Sequence, residues 1–263
     1  MSKNFISFNI MGGLGNILFP AATAYSYSID NNYDFKTNNG HSGYLHTHPK
    51  HYLDSIFKNF ETLSEISSVV VHEENSFTFK QIPTHEGLDI FLSGYYQSEK
   101  YFAKNENKIN SLILSDFDRF GLANDKFNAL FNCDDTVVSL HVRRGSYLNL
   151  KDHHTNLSLE YYKKALSLVD HTKVLIFSDE IEYCRENFID KKYFFHYSED
   201  DLLDLYLMSL CHNNIIANST YSWWGAWLNK NKNKKIIAPK KWFGPSNSHF
   251  DTKDLIPESW IKI

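Results

Sequence analysis

Residues 136–145 read TVVSLHVRRG, and this stretch decides the fold. Thr136–Val142 is an unbroken, largely apolar and β-branched run. That is the pattern of a strand buried on both faces, as in a parallel sheet covered by helices. Two adjacent arginines and a glycine follow at once. Toward the C-terminus a strand–helix alternation repeats. A helix runs from Ser158 to about Val169, with Leu159, Tyr162, Leu166 and Val169 at helical spacing. Next come a strand over Lys173–Phe177, a helix over Glu180–Asn187, and a helix over Leu202–Cys211 opened by Ser198 and Asp201. A strand over Ile215–Ala217, a helix to Asn229 and a strand over Lys235–Ala238 complete the series. This alternation predicts an α/β protein with a mainly parallel sheet. Toward the N-terminus the pattern is looser. A strand over Phe5–Ile10 meets the turn Gly12-Gly13-Leu14-Gly15-Asn16, and a helix over Ile17–Tyr27 follows. Residues 31–90 are irregular apart from a short strand near 68–71; then come a strand at 90–96 and helical stretches at 105–114 and 126–131. We expect two α/β domains, 1–130 and 131–263, with the proline-bearing end (Pro239, Pro245, Pro257) wrapping over the surface.

The chain has 263 residues, with 27 Lys and Arg against 31 Asp and Glu, a net charge of −4. General polyanion binding would need a basic surface, so nucleic acid is an unexpected partner. No apolar run approaches the ~20 residues of a membrane helix, and the N-terminus carries no sustained apolar signal core. Peripheral association with a membrane stays open. Three widely spaced cysteines, Cys133, Cys184 and Cys211, form no metal or disulfide pattern and fit free thiols in the cytoplasm.

Ligands of open α/β sheets bind at the carboxyl ends of the strands, and five candidates stand there. Arg143 and Arg144 leave a buried strand beside His141. They read either as a grip for phosphate or as a structural ion pair with a carboxylate. Asn218, Ser219 and Thr220 open a helix, where backbone N–H groups and hydroxyls suit phosphate but equally suit plain capping. Trp223, Trp224 and Trp227 behind them read as a packed helix face. Gly13 and Gly15, with Asn16, allow a close backbone approach or only a tight turn. Ser178 and Asp179 read as a base or ribose contact, or as an acidic helix start. Ser93–Phe102, with Tyr96, Gln97 and Glu99, offers sugar contacts or domain packing. The histidines His46, His48 and His51 lack companion ligands at metal spacing, and Asp116-Phe117-Asp118 follows a helix rather than a buried strand. Neither is read as a metal site.

Taken together, the motifs are specific. GGLGN at 12–16, GYYQSEKYF at 94–102, HVRRGSY at 141–147, FSDE at 177–180 and NSTYSWWGAWL at 218–228 resemble the alpha-1,2-fucosyltransferases of glycosyltransferase family 11. The resemblance implies a GT-B-like fold of two facing Rossmann-type domains, the N-terminal one on the acceptor side and the C-terminal one binding the nucleotide sugar. It implies an inverting, metal-independent transfer of L-fucose from GDP-fucose to the 2-hydroxyl of a galactoside, with no cofactor. The partners are then the donor and an oligosaccharide acceptor. Under this reading Arg144 grips the diphosphate beside Arg143 and His141, and Asn218, Ser219 and Thr220 meet phosphate. Ser178 and Asp179 face the nucleoside, and Asn16, with Gly13 and Gly15, reaches the donor from the other domain. Tyr96, Gln97 and Glu99 lie on the acceptor side. His141 and Glu99 are the candidate general bases.

Three positions depart from the family pattern: Ser146 for Asp, Ile17 for Gln, and Glu180 for Asp. Ser146 removes a carboxylate beside the arginines. The alternatives are therefore a transferase for another nucleotide sugar, or an inactive glycan- or nucleotide-binding protein.

Overall fold

A computed structural model of the chain describes residues 3–40, 42–45, 48 and 50–263. His46, one of the three histidines weighed above, lies outside them. The chain folds into two units, Met1–Asp116 with Asp251–Pro257, and Phe117–Phe250 with Glu258–Ile263.

In the first unit the expected opening strand is β1 (Phe5–Phe8), followed by a two-residue β2 (Met11–Gly12) and α1 (Leu14–Asn31). The helix begins directly after Gly13 and is longer than its apolar pattern suggests. It is buried on several faces and holds Pro20 in its interior. Short pieces follow: β3 (Asp34–Phe35), β4 (Thr37–Asn38), β5 (Ser42–Leu45), α2 (Lys50–Leu53) and β6 (Thr62–Leu63). Then come β7 (Val69–Glu74), β8 (Asp89–Gly94) and α3 (Glu106–Ile113). The sheet is parallel throughout, in the order β3-β1-β8-β7. Phe8 stacks on Phe35 within its core, and Phe57 packs tilted against both.

The second unit opens with α4 (Phe117–Leu130), which shifts the boundary expected at 130 back to 116. The physical reason is packing. On α4, Phe120 lies edge-on to Tyr206, and Arg119 Nε bonds Asp200 Oδ2 at 2.7 Å. Next are β9 (Val137–Val142), α5 (Leu159–Leu166), β10 (Lys173–Ser178), α6 (Ile181–Asn187) and β11 (Tyr193–His196). The chain continues through α7 (Asp201–Leu210), β12 (Asn213–Ile215), α8 (Thr220–Trp227), β13 (Ile236–Ala238) and β14 (Ile261–Lys262). Asp200, not Ser198, caps α7, its carboxylate accepting from Leu203 N at 3.1 Å. The Ser198 hydroxyl bonds Asp204 instead.

The six strands are parallel in the order β11-β10-β9-β12-β13-β14. Numbered from β9, that is 3-2-1-4-5-6, the Rossmann order, with its topological switch between β9 and β12. Every residue of β9 is buried, as its sequence requires. Trp223 and Trp224 are fully buried and meet edge-on at 5.1 Å, and Trp260 packs on Trp223 at 5.3 Å. The end of the chain therefore does more than wrap the surface. Residues 251–257 pack into the first unit, where Asp254 accepts from Phe79 N and pairs with Lys100, and 261–262 add a strand to the second.

Two glycines test this packing in opposite directions. A Cβ at Gly225 on α8 would lie 2.7 Å from Met208 Cβ on α7, whereas Gly121 on α4 has open space. Gly225→Ala should destabilise the protein by about 1–3 kcal/mol. Gly121→Ala should stabilise it by about 0.5–1 kcal/mol. Denaturant unfolding of both variants measures the two signs.

Candidate functional site

The parallel register builds the site in the second unit. Val142 pairs with Ser178, so the next residues, Arg143 and Asp179, leave their strands side by side. On the other flank Ile215 pairs with Leu140, which carries Asn218 level with Arg143. Arginine loop and helix start thus flank the switch point.

The two arginines divide the two readings of the pair between them. Arg143 is the structural one. Its Nη1 lies 3.0 Å from Asp179 Oδ2, and its Nη2 donates to Ser146 Oγ at 3.2 Å. Asp179 Oδ1 also accepts from the backbone N–H of Arg144 at 2.9 Å. Both oxygens of Asp179 thus engage the arginine loop, and Glu180, not Asp179, occupies the cap position of α6. A Cβ at Gly145 would run into Asp179, so the loop admits the carboxylate only because residue 145 is glycine. Arg143 therefore meets a hydroxyl at Ser146, where the family pattern has a carboxylate, and its ion pair is made with Asp179. Arg144 differs: among the described residues no carboxylate lies within ion-pair distance of its guanidinium, which sits 3.7 Å from the ring of Tyr183.

At the helix start, Ser219 is the cap residue of α8 by backbone geometry, yet its hydroxyl makes no capping bond, and no acidic residue stands in the first turn. Plain capping does not describe it. Asn218 clamps the loops around it: its Nδ2 donates to the carbonyls of Thr155 (2.9 Å) and Trp242 (2.8 Å), its backbone carbonyl accepts from Tyr147 Oη at 3.2 Å, and its buried Oδ1 has no partner among the described residues. Tyr147 stacks on His154 at 4.0 Å and so ties the arginine loop to the helix start. The Ser178 hydroxyl accepts from Glu180 N at 2.9 Å and serves the local turn.

His141 is a correction. It belongs to a strand buried on both faces, its ring lies edge-on to Tyr221 at 5.9 Å, and its Nδ1 has no partner. Burial and the Arg143 charge push its pKa down to about 3. It is neutral and enclosed, which suits it neither to touch a donor nor to take a proton.

In the first unit, Gly12 has φ +75°, and a Cβ there would meet Asn16 Nδ2 at 2.6 Å, so this turn requires glycine twice over. Gly13 caps α1 by backbone alone, and Gly15 is buried in its first turn. Gln97 is buried and donates through Nε2 to Asn16 Oδ1 at 3.2 Å, so two candidates distant in sequence meet. Tyr96 is the second correction. It has no exposed surface; its hydroxyl donates to His72 O at 2.6 Å and its N–H to Glu74 Oε2 at 3.1 Å. It packs the core and does not face an acceptor. Burial raises the carboxyl pKa of Glu74, at the carboxyl end of β7, even though backbone N–H groups bond it. Glu99 is half-buried in a 3₁₀ turn over Glu99–Tyr101. Asp116 is buried ahead of α4 and Asp118 is exposed in its first turn.

Tyr147 closes the motif at 141–147 without a role assigned to it there, and Tyr183, four residues after Asp179, stands outside every motif.

Two parallel-sheet units, one of them a Rossmann sheet with the arginine loop and a helix start at its switch point, have the architecture of the GT-B glycosyltransferase fold. The chain belongs to glycosyl transferase family 11, whose model matches residues 56–263. The glycine turn precedes that match. The O-antigen biosynthesis glycosyltransferase WbnK of Escherichia coli is 32% identical over 185 residues, which are 65% of this chain and 60% of WbnK. The chain thus matches less than two thirds of that relative's length. An alpha-1,2-colitosyltransferase of Escherichia coli is 28% identical, with 97% of both chains covered. Among solved structures, the fucosyltransferase NodZ from Bradyrhizobium shares the fold with a TM-score of 0.55 at 14% identity, covering 86% of this chain and 93% of NodZ. NodZ alpha-1,6-fucosyltransferase co-crystallised with GDP gives a TM-score of 0.56, also at 14% identity, with 86% and 92% covered.

His141 makes the fold acid-sensitive. Its pKa is lower folded than unfolded, so below the unfolded value of 6.5 the unfolded chain binds a proton that the folded chain refuses. The His141 contribution should therefore lose stability as pH falls from about 6.5 toward 3. His141→Phe should show a flatter profile than the unaltered protein across that window, read by urea unfolding at several pH values. Parallel profiles would contradict this.

Proposed function

We propose that the protein transfers L-fucose from GDP-fucose to the 2-hydroxyl of a galactoside, with inversion and without a metal. The observation that carries the reading is that the two flanks of the Rossmann switch point hold Arg144, which has no ion-pair partner among the described residues, and the start of α8, whose cap residue makes no side-chain capping bond. Such a place attracts a diphosphate.

The chemistry follows from charge. As the bond between the sugar's anomeric carbon and the diphosphate oxygen breaks, negative charge grows on the leaving GDP. Donors aimed there lower the barrier most. Arg144 supplies a planar fork of N–H groups, and Ser219, Thr220 and the first-turn amides of α8 supply the rest. Arg143 stays with Asp179 and keeps the loop in shape. The acceptor oxygen attacks the opposite face of an oxocarbenium-like sugar and gives its proton to a base. In the first unit, Gln97 holds Asn16 at the glycine turn. Glu99 remains the candidate base, since His141 is enclosed. Three cysteines without disulfide partners support a cytoplasmic setting.

A second reading is transfer of colitose, favoured by the relative covering 97% of both chains.

Thermal unfolding with GDP, GDP-fucose, GDP-colitose and UDP, each with and without EDTA, tests the proposal. A ligand at ~100 times its dissociation constant should stabilise by about 2.7 kcal/mol. The expected result is a GDP-selective shift insensitive to EDTA, largest for the true donor sugar. A UDP-selective or EDTA-sensitive shift would overturn it. Arg144→Ala should weaken GDP binding by about 10- to 100-fold, as expected for a lost charge-assisted contact of roughly 1.5–3 kcal/mol.

A further inference from the structure

Arg144 raises a physical question. A half-buried guanidinium with no carboxylate partner needs something to hold it, and any hydrogen-bonding partner would consume the N–H groups an anion requires. The structure answers with an aromatic face. The guanidinium carbon lies 3.7 Å from the centroid of Tyr183, a stacking distance, whereas Arg143 is 5.2 Å from Tyr147 and is held by its ion pair. Stacking occupies the flat face of the guanidinium and leaves its N–H edge unspent. Tyr183 is itself anchored: it packs on the hydrophobic cluster that includes Val142, Tyr162 and Cys184. The backbone of Arg144 is fixed from the other end by Asp179. Both ends of the side chain are thereby restrained, and among the described residues no guanidinium N–H of Arg144 is used.

We infer that Tyr183 is a positioning residue for the donor diphosphate, its ring holding Arg144 face-on so that the guanidinium edge is preset for the anion. The inference rests on the donor-site reading above and adds to it a residue outside every motif.

The test uses the full-length protein and its variants Tyr183→Phe, Tyr183→Leu, Arg144→Ala and the double variant Tyr183→Leu with Arg144→Ala. GDP binding is measured by calorimetry at fixed ionic strength. Tyr183→Leu should weaken GDP binding about tenfold, within the range of a partly desolvated cation–π contact. Tyr183→Phe, which keeps the face, should restore most of that loss. In the Arg144→Ala background Tyr183→Leu should cause no further loss, because there is no guanidinium left to position. Wild-type affinity in Tyr183→Leu, or an equal loss in both backgrounds, would overturn the inference and leave the tyrosine merely structural. If the unaltered protein binds no GDP, the donor reading fails. Inorganic diphosphate titrated into the same variants then decides the role of Tyr183 by the same criteria. One measurement needs no variant: the Nε–H proton of Arg144 should be shifted upfield by the Tyr183 ring current, and a resonance at its ordinary position would also overturn the inference.

Discussion

Asp179 joins the carboxyl ends of two neighbouring strands, one oxygen on the Arg144 amide and the other on the Arg143 guanidinium. Much of the second unit's site geometry follows from that bond pair. It fixes the turn after β9, which aims Arg144 at Tyr183 and carries Tyr147 across to the carbonyl of Asn218. The pair is half-exposed, so its direct contribution to stability is modest. Its importance is geometric: a carboxylate meeting one side chain and the next residue's backbone leaves the loop few alternative shapes.

The arrangement separates two tasks that adjacent like charges would otherwise share. Arg143 is neutralised and structural. Arg144 is uncompensated and restrained by apolar means. In an acidic chain, this leaves one positive charge without an ion pair among the described residues, at the same strand ends as the start of α8, whose dipole has the same sign. His141 beneath them stays neutral and adds no charge to the loop's base.

Much of this was legible in the sequence, and the reasons for the rest are physical. The buried run at 136–142 and the alternation after it gave the parallel α/β class, because a strand covered on both faces leaves no polar alternation to misread. Strand order was not legible, since it depends on pairings between distant residues. β11 and β14 escaped because four and two residues carry no period. The glycine turn, the arginine pair and the helix start were found as motifs, but their partners were not. Tyr96 sits in an aromatic, polar stretch that suggested sugar contacts. Its positive φ of 51° turns the ring inward, to His72, which composition does not show. Asn218 looked like a phosphate ligand because helix starts and loop clamps use the same amide chemistry. Tyr183 was overlooked because a tyrosine on a short helix has no distinctive spelling.

The segment 251–257 belongs to the first unit, while the residues on both sides of it belong to the second. During synthesis, the first unit lacks the Asp254 carboxylate that receives Phe79 and Lys100 until nearly the whole second unit has been made. The second, in turn, gains Trp260 and its last strand only after that return. Neither unit is one continuous stretch of chain, so the two cannot mature strictly one after the other, as the domains of many longer proteins do. Completion of both is deferred to the same late moment of translation.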